Sequence, residues 1–271
     1  MEARAEVNGL GEFRFSMGGI SVERWSAGKT KELLQFLLLR KGRIVSRDTL
    51  YEALWPEAEW GANSSHVKVA VHNLRRILLP AGGGAATQTV AVLSHERPLR
   101  LETVGSGYRL EVDDVRIDYE IFDELIDKGQ AAMVAGRLDE ATPYFRRAAE
   151  MYHGEFLYGS SAEWINVRRE WLHSRFLYAV QQVMEASLRS GDLLAAMHWG
   201  HRILESEPYH EPTYRTLMSV HAALGQLRQV QRWFELCESR LRDELQVAVD
   251  EETRRTYLRA MRGGREPLLA G

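Results

Sequence analysis

Residues 64–79 read SSHVKVAVHNLRRILL, and this stretch decides the fold. Val67, Val71, Leu74 and Leu78 recur at heptad-like spacing, so they share one face of a helix and give it a core side. The opposite face carries Ser65, Val69, His72, Asn73 and Arg76, flanked by Lys68 and Arg75. It holds no acid. A face that is merely solvated usually mixes Glu with Lys. This one offers short, polar and cationic side chains, suited to base edges and phosphates.

Upstream, Leu10–Phe15 and Ile20–Trp25 read as two short strands around the turn Met17-Gly18-Gly19. Lys29–Arg40 is a helix with more apolar residues than one stripe needs (Leu33, Leu34, Phe36, Leu37, Leu38), which places it centrally. Gly42 ends it. Ser46 caps a second helix that Pro56 stops, and the loop Pro56–Asn63 leads into the helix of 64–79. Downstream, past Pro80 and three glycines, Val90–Ser94, Leu99–Val104 and Tyr108–Val112 read as strands, the last pair joined by the tight turn Gly105-Ser106-Gly107. Strands flanking three helices with a terminal hairpin is the order of a winged helix-turn-helix. The second and third helices form the helix-turn-helix and the hairpin is the wing.

From Asp118 onward helical periodicity takes over. Gly136, Gly191 and Gly225 each separate two apolar-periodic runs, and the last two stand 34 residues apart, the tetratricopeptide (TPR) period. Ala141 and Ala196 follow their glycines by five residues, where close helix packing wants a small side chain. Pro208 ends one repeat and Pro212 starts the next helix. Trp164, Trp171, Trp199 and Trp233 are expected in the core of these repeats. Asp113, Asp114 and Asp118 read as a solvated junction. The expected architecture is mainly α: an α+β winged helix over 1–112, then an all-α TPR-like domain over 113–271.

Composition narrows the function classes. With 271 residues, 45% apolar and 27% charged, the chain is globular and long enough for two domains. One Cys excludes a disulfide framework and a Cys-based zinc finger, and Cys237 reads as a packed thiol. No apolar run is long enough to span a membrane, and the start MEARAEVNG lacks the apolar core of a signal peptide, so the cytoplasm is the expected compartment. Residues 1–112 carry 15 Lys and Arg against 12 Asp and Glu, whereas 113–271 carry 20 against 26. A basic half joined to an acidic one suits nucleic-acid contact by the first alone. Gly28-Lys29-Thr30 is no P-loop, because Glu23 stands where the motif needs Gly. His198 and His201 lie three apart on one helix without carboxylates on that face, so no metal is expected. No grouping of nucleophile, base and orienter emerges, so neither an enzyme nor a cofactor is expected.

The runs LLQFLLLRKGRIVSRDTLYEALWP (33–56), VKVAVHNLRRIL (67–78) and VGSGYRLEV (104–112) resemble the OmpR-type winged helix. More closely, they resemble the Streptomyces antibiotic regulatory protein (SARP) family, in which a bacterial transcriptional activator domain follows. The resemblance covers essentially the whole chain. His72-Asn73 stands where that family often has Ser-Arg, which implies a different operator sequence. The resemblance implies an activator of secondary-metabolite genes that binds direct repeats near the −35 element as a homodimer and touches RNA polymerase and its sigma factor. On that reading Lys68, Arg75 and Arg76 meet phosphates, Ser65, His72 and Asn73 approach the bases, and Val69 belongs to the same DNA-binding face. Arg97 and Arg100 of the wing region meet further phosphates. The loop beside the second helix, with Trp55, Glu57, Glu59 and Trp60, is the polymerase or sigma contact. The alternative is a scaffold whose winged helix and repeats bind protein partners instead of DNA.

Overall fold

The computed structural model describes residues 5–25, 29–57, 64–79 and 97–263. The chain opens as a meander of β1 (Ala5–Asn8), β2 (Arg14–Met17) and β3 (Ile20–Ser21), each antiparallel to the next. The strand expected over Leu10–Phe15 starts at Arg14 instead. Gly11, at φ +113°, breaks the extended run, and Leu10 and Glu12 bridge to Phe156 and Tyr158. The strand expected over Ile20–Trp25 is two residues long. Beyond it Trp25 packs its ring on Phe13 and Phe15.

Helix α1 (Thr30–Leu38) buries Leu33, Leu34, Phe36, Leu37 and Leu38, which accounts for its excess of apolar side chains. A three-residue strand, β4 (Ile44–Ser46), follows; it is too short to leave an alternation in the sequence. The Ser46 hydroxyl accepts from the Thr49 N–H at 3.0 Å and caps α2 (Arg47–Leu54), which ends just before Trp55-Pro56. Helix α3 spans Ser64–Ile77. The hairpin of β5 (Leu99–Val104) and β6 (Gly107–Val112) turns at Gly105-Ser106, with Val104 opposite Gly107. β6 pairs β4 on its other edge, giving a three-stranded sheet in the order β4-β6-β5. The strand expected over Val90–Ser94 lies outside the described residues.

A further strand, β7 (Val115–Ile117), runs parallel to β1 and completes a first sheet in the order β3-β2-β1-β7. The expected solvated junction holds at Asp113 and Asp114, which are exposed, and is corrected at Asp118. Asp118 is a largely buried carboxylate whose oxygens accept from the backbone N–H groups of Gly9 (2.8 Å), Leu10 (3.0 Å) and Tyr119 (2.7 Å). One side chain thus ties the end of β1 to the start of the next helix. Burial pushes its carboxyl above the ordinary carboxylate value, and the backbone donors hold the shift back.

The remainder is helical: α4 (Asp118–Val134), α5 (Leu138–Met151), a 3-10 turn (Glu163–Ile165), α6 (Asn166–Arg189), α7 (Leu193–Ser206), α8 (Glu211–Ala223), α9 (Leu227–Leu245) and α10 (Glu251–Met261). The turn glycines do one job three times. Gly136, Gly191 and Gly225 have φ between +72° and +75°. In each turn the glycine N–H donates three residues back, and the next N–H five back, as in Arg137 to Ala132, Asp192 to Ser187 and Gln226 to His221. This is the Schellman closure, which needs a left-handed residue and so selects glycine. Ala141 and Ala196 are buried just beyond their turns.

By contacts the chain divides into two units: residues 1–121 with 153–171, and residues 122–152 with 172–271. In the second, Tyr214, Leu217, Met218, Val230, Phe234 and Cys237 form a continuous core. The Cys237 thiol is fully buried and pushed up to about 12, mainly by desolvation. The four tryptophans do not share one core. Trp199 is buried and Trp233 packs at the core's margin, but Trp164 meets Phe36 edge-on in the first unit at 5.0 Å. Trp171 is 51% exposed, which corrects the expectation for it. Helical spacing gives a tryptophan's face of the helix but not whether a neighbour covers that face.

Candidate nucleic-acid interface

Helix α3 is amphipathic in the sense its spacing requires. Val67, Ala70, Val71, Leu74 and Leu78 are buried, and α1 packs against the helix from the core side. Ser65, Lys68, Val69, His72, Arg75 and Arg76 are exposed, and Asn73 is half-buried. Val69 is 57% exposed, an apolar side chain standing in the middle of a polar face. The first turn of α3 carries no acid and its last turn carries Arg75 and Arg76.

The two adjacent arginines differ in what holds them. Arg75 donates through Nε to the Leu101 carbonyl (3.0 Å) and through Nη2 to Thr103 Oγ1 (2.9 Å), so it laces α3 to β5 at the root of the wing. Arg76 points one helical step away, on the Val69–His72 face. Sequence spacing grouped the two; only the position of β5 separates them. In the wing region, Arg100 pairs with Asp113 at 3.2 Å, and Arg97 is half-buried at the entrance to β5. On β6, Arg109 is bracketed by Glu102 (2.9 Å) and Glu111 (2.6 Å), which hold its charge firmly. The hairpin is therefore internally charge-balanced along this stretch.

An aromatic stack forms where the chain leaves α2. Trp55 stacks with Tyr51 and with His66, centroids 6.0 and 5.8 Å away, with both interplanar angles at 27°. Trp55 is half-buried by this stack, which joins the end of α2 to the start of α3, and Glu57 beside it is exposed. Glu59 and Trp60 lie outside the described residues. The stack was hidden from sequence reasoning, because Tyr51 and His66 belong to different elements. A Tyr four residues before Trp was its one available trace.

Residues 117–260 match the bacterial transcriptional activator domain, and residues 26–93 match the transcriptional regulatory protein C-terminal domain. Regulatory protein DnrI of Streptomyces peucetius is 26% identical over 245 residues, covering 89% of this chain and 86% of that protein. The chain belongs to the SARP family.

Two further likenesses fit the SARP pairing of a winged helix with helical repeats. Transcriptional regulatory protein EmbR of Mycobacterium tuberculosis is 25% identical over 238 residues, covering 85% of this chain. The chain spans only 58% of EmbR's length. A solved structure, Mycobacterium tuberculosis EmbR in complex with a low-affinity phosphopeptide, superposes with a TM-score of 0.71 at 23% identity. It covers 96% of this chain and 66% of that one, and it shows the common fold. Among the described residues no helix is long and apolar enough to cross a membrane.

Proposed function

We propose that this SARP-family chain is a sequence-specific, DNA-binding transcriptional activator. It binds direct promoter repeats as a pair of protomers, recruits RNA polymerase through its sigma factor, and controls secondary-metabolite genes. Residues 1–112 form the DNA-binding domain and 113–271 the activator domain. Helix α3 enters the major groove. Ser65, Val69, His72 and Asn73 face base edges, with Val69 suited to a thymine methyl, and Lys68 and Arg76 meet phosphates. Arg75 acts first on the protein itself, setting the angle between α3 and the wing, and its remaining donors face the backbone. Arg97 and Arg100 are the wing's phosphate contacts, Arg100 by exchanging Asp113 for phosphate. The turn after α2, with Trp55, Glu57, Glu59 and Trp60, is the polymerase-facing surface.

The observation that carries this reading is the exposed, acid-free face of α3, with its apolar side held in the core. An acid on that face would repel phosphate; burial would deny it the groove.

The test is a gel shift on the gene's own promoter regions across a salt series. Wild type should bind and lose affinity steeply with salt. Arg76→Ala and Lys68→Ala should weaken binding on every sequence while keeping the fold. His72→Ala or Asn73→Ala should change which sequence is preferred. If Arg76→Ala and Lys68→Ala are folded and bind as wild type, the assigned face is wrong. If no DNA binds at low salt, the protein-scaffold reading replaces this one.

A further inference from the structure

The first unit holds a cleft of about 720 Å³ on a surface that plays no part in the DNA reading. All of its lining belongs to that unit. One wall is the end of α1 and the turn after it, with Arg40, Lys41 and Arg43. The facing wall is the 3-10 turn and the start of α6. There Trp164, Val167, Arg168 and Trp171 recur at helical spacing and so share a face.

The charge in this cleft is one-sided. Its lining includes four cations and one acid, Glu120, and Lys41 already takes that acid at 2.6 Å. Arg40 and Arg43 are neighbours of like charge. Partial burial and Arg43 together make the Arg40 charge harder to keep than an arginine's ordinarily is. An anion between them would relieve both costs.

The apolar part is equally one-sided. Val167 is 84% exposed and Trp171 51%, beside Trp164. The Arg40 guanidinium lies 3.7 Å above the Phe36 ring, and the edge of that ring system meets Trp164. Cation, Phe36 and Trp164 thus form one contiguous cluster, a cation over a ring face and a T-shaped ring pair. Exposed Trp beside Arg is the composition of a protein interface centre. Duplex DNA offers phosphates on its outside, but its apolar thymine methyls lie within the major groove and not where the backbone would meet Val167 and Trp171. A small ligand would leave the outer wall wet, whereas a chain segment carries its own other side.

We propose that this cleft docks a short acidic segment of a partner protein, whose aromatic or large aliphatic anchor covers Trp171 and Val167 while its carboxylates meet Arg40 and Arg43. The mode is acidic-motif recognition by an arginine cluster with an apolar anchor. It does not depend on the DNA reading.

The test uses the full chain and a fluorescein-labelled peptide of sequence DEDDLFEEDLDE, followed by anisotropy. Two controls replace its acids with Asn and Gln, or its Phe and Leu with Ser. Saturable binding by the acidic peptide is expected, with at least about tenfold weaker binding of both controls. Trp171→Ala and Arg43→Glu change exposed side chains and should keep the helical circular dichroism. Each should weaken the acidic peptide by about tenfold or more while promoter gel shifts stay at the wild-type level. Val167→Ser gives a second, independent loss. The proposal is overturned if wild type shows no saturable binding up to about 1 mM, a limit corresponding to roughly −4 kcal/mol. It is also overturned if the folded variants bind the peptide as wild type does, or if Arg43→Glu loses DNA instead, which would make the rim a phosphate contact.

Discussion

Arg75 and Arg76 are neighbours in sequence with the same chemistry, and the structure gives them separate work. Arg75 makes two hydrogen bonds to β5, one to a backbone carbonyl and one to a hydroxyl. Arg75→Ala should therefore cost about 1–2 kcal/mol of stability, seen as a lower urea midpoint, besides any loss in DNA binding. Arg76→Ala should leave that midpoint within roughly 0.5 kcal/mol of wild type, the usual range for an exposed site. Asp118 makes a second residue-scale case. Its folded carboxyl titrates above its ordinary value of 3.8, so the native state binds that proton more tightly than the unfolded chain does. The stability linked to this proton is fully present below 3.8 and is lost as pH rises through the raised folded value. Asp118→Asn cannot titrate there, so wild type should lose stability relative to the variant as pH rises through that window. Denaturant melts at several pH values would measure the difference. At neutral pH Asp118→Ala should still cost about 1–3 kcal/mol, because the Gly9 and Leu10 N–H groups lose their acceptor.

At the scale of elements, the winged helix is held in register by a position too small to notice in sequence. A Cβ on Gly107 would run into the Val45 carbonyl where β6 pairs with β4. Gly107→Ala must push the two strands apart and should cost about 1–3 kcal/mol, read from thermal or denaturant melts. Gly191→Ala and Gly225→Ala meet no neighbouring atom, but they force an L side chain into a left-handed turn. About 1 kcal/mol each is expected, so the Gly107 variant should be the worst of the three. These cases also mark what the sequence could and could not reveal. α1, α2, α3 and the β5–β6 hairpin were legible because each has a local cause: a capping Ser46, a stopping Pro56, a valine-leucine stripe, a glycine turn. β4 and β7 were not, since three residues carry no alternation and their pairing partners lie far along the chain. The same holds for the site. The exposed face of α3 follows from periodicity, whereas the lacing of Arg75 and the stacking of Trp55 depend on elements brought together only by folding.

The whole molecule poses the question of how so small a basic face could select a promoter. One protomer presents Lys68 and Arg76 on α3 and, in the wing region, Arg97 and an Arg100 that must first give up Asp113, while Arg109 is held by Glu102 and Glu111. The second unit lies in the acidic part of the sequence, where residues 113–271 carry 20 Lys and Arg against 26 Asp and Glu. Few phosphates per protomer means weak binding alone and an affinity that needs two protomers on adjacent repeats. This makes the salt dependence diagnostic. Each phosphate neutralised contributes about −0.9 to the slope of log K against log salt. Removing Lys68 and Arg76 together should therefore flatten the slope by roughly 2 on a single half-site and roughly 4 on a paired site. Halving the site should also cost more affinity than halving the contacts explains, because the second protomer then has no tether. Gel shifts or anisotropy on one-repeat and two-repeat DNA, run at several salt concentrations, would separate these terms. If the double variant changes the slope equally on both lengths of DNA, only one protomer is engaged, and the paired arrangement must be abandoned even though the groove-facing helix stands.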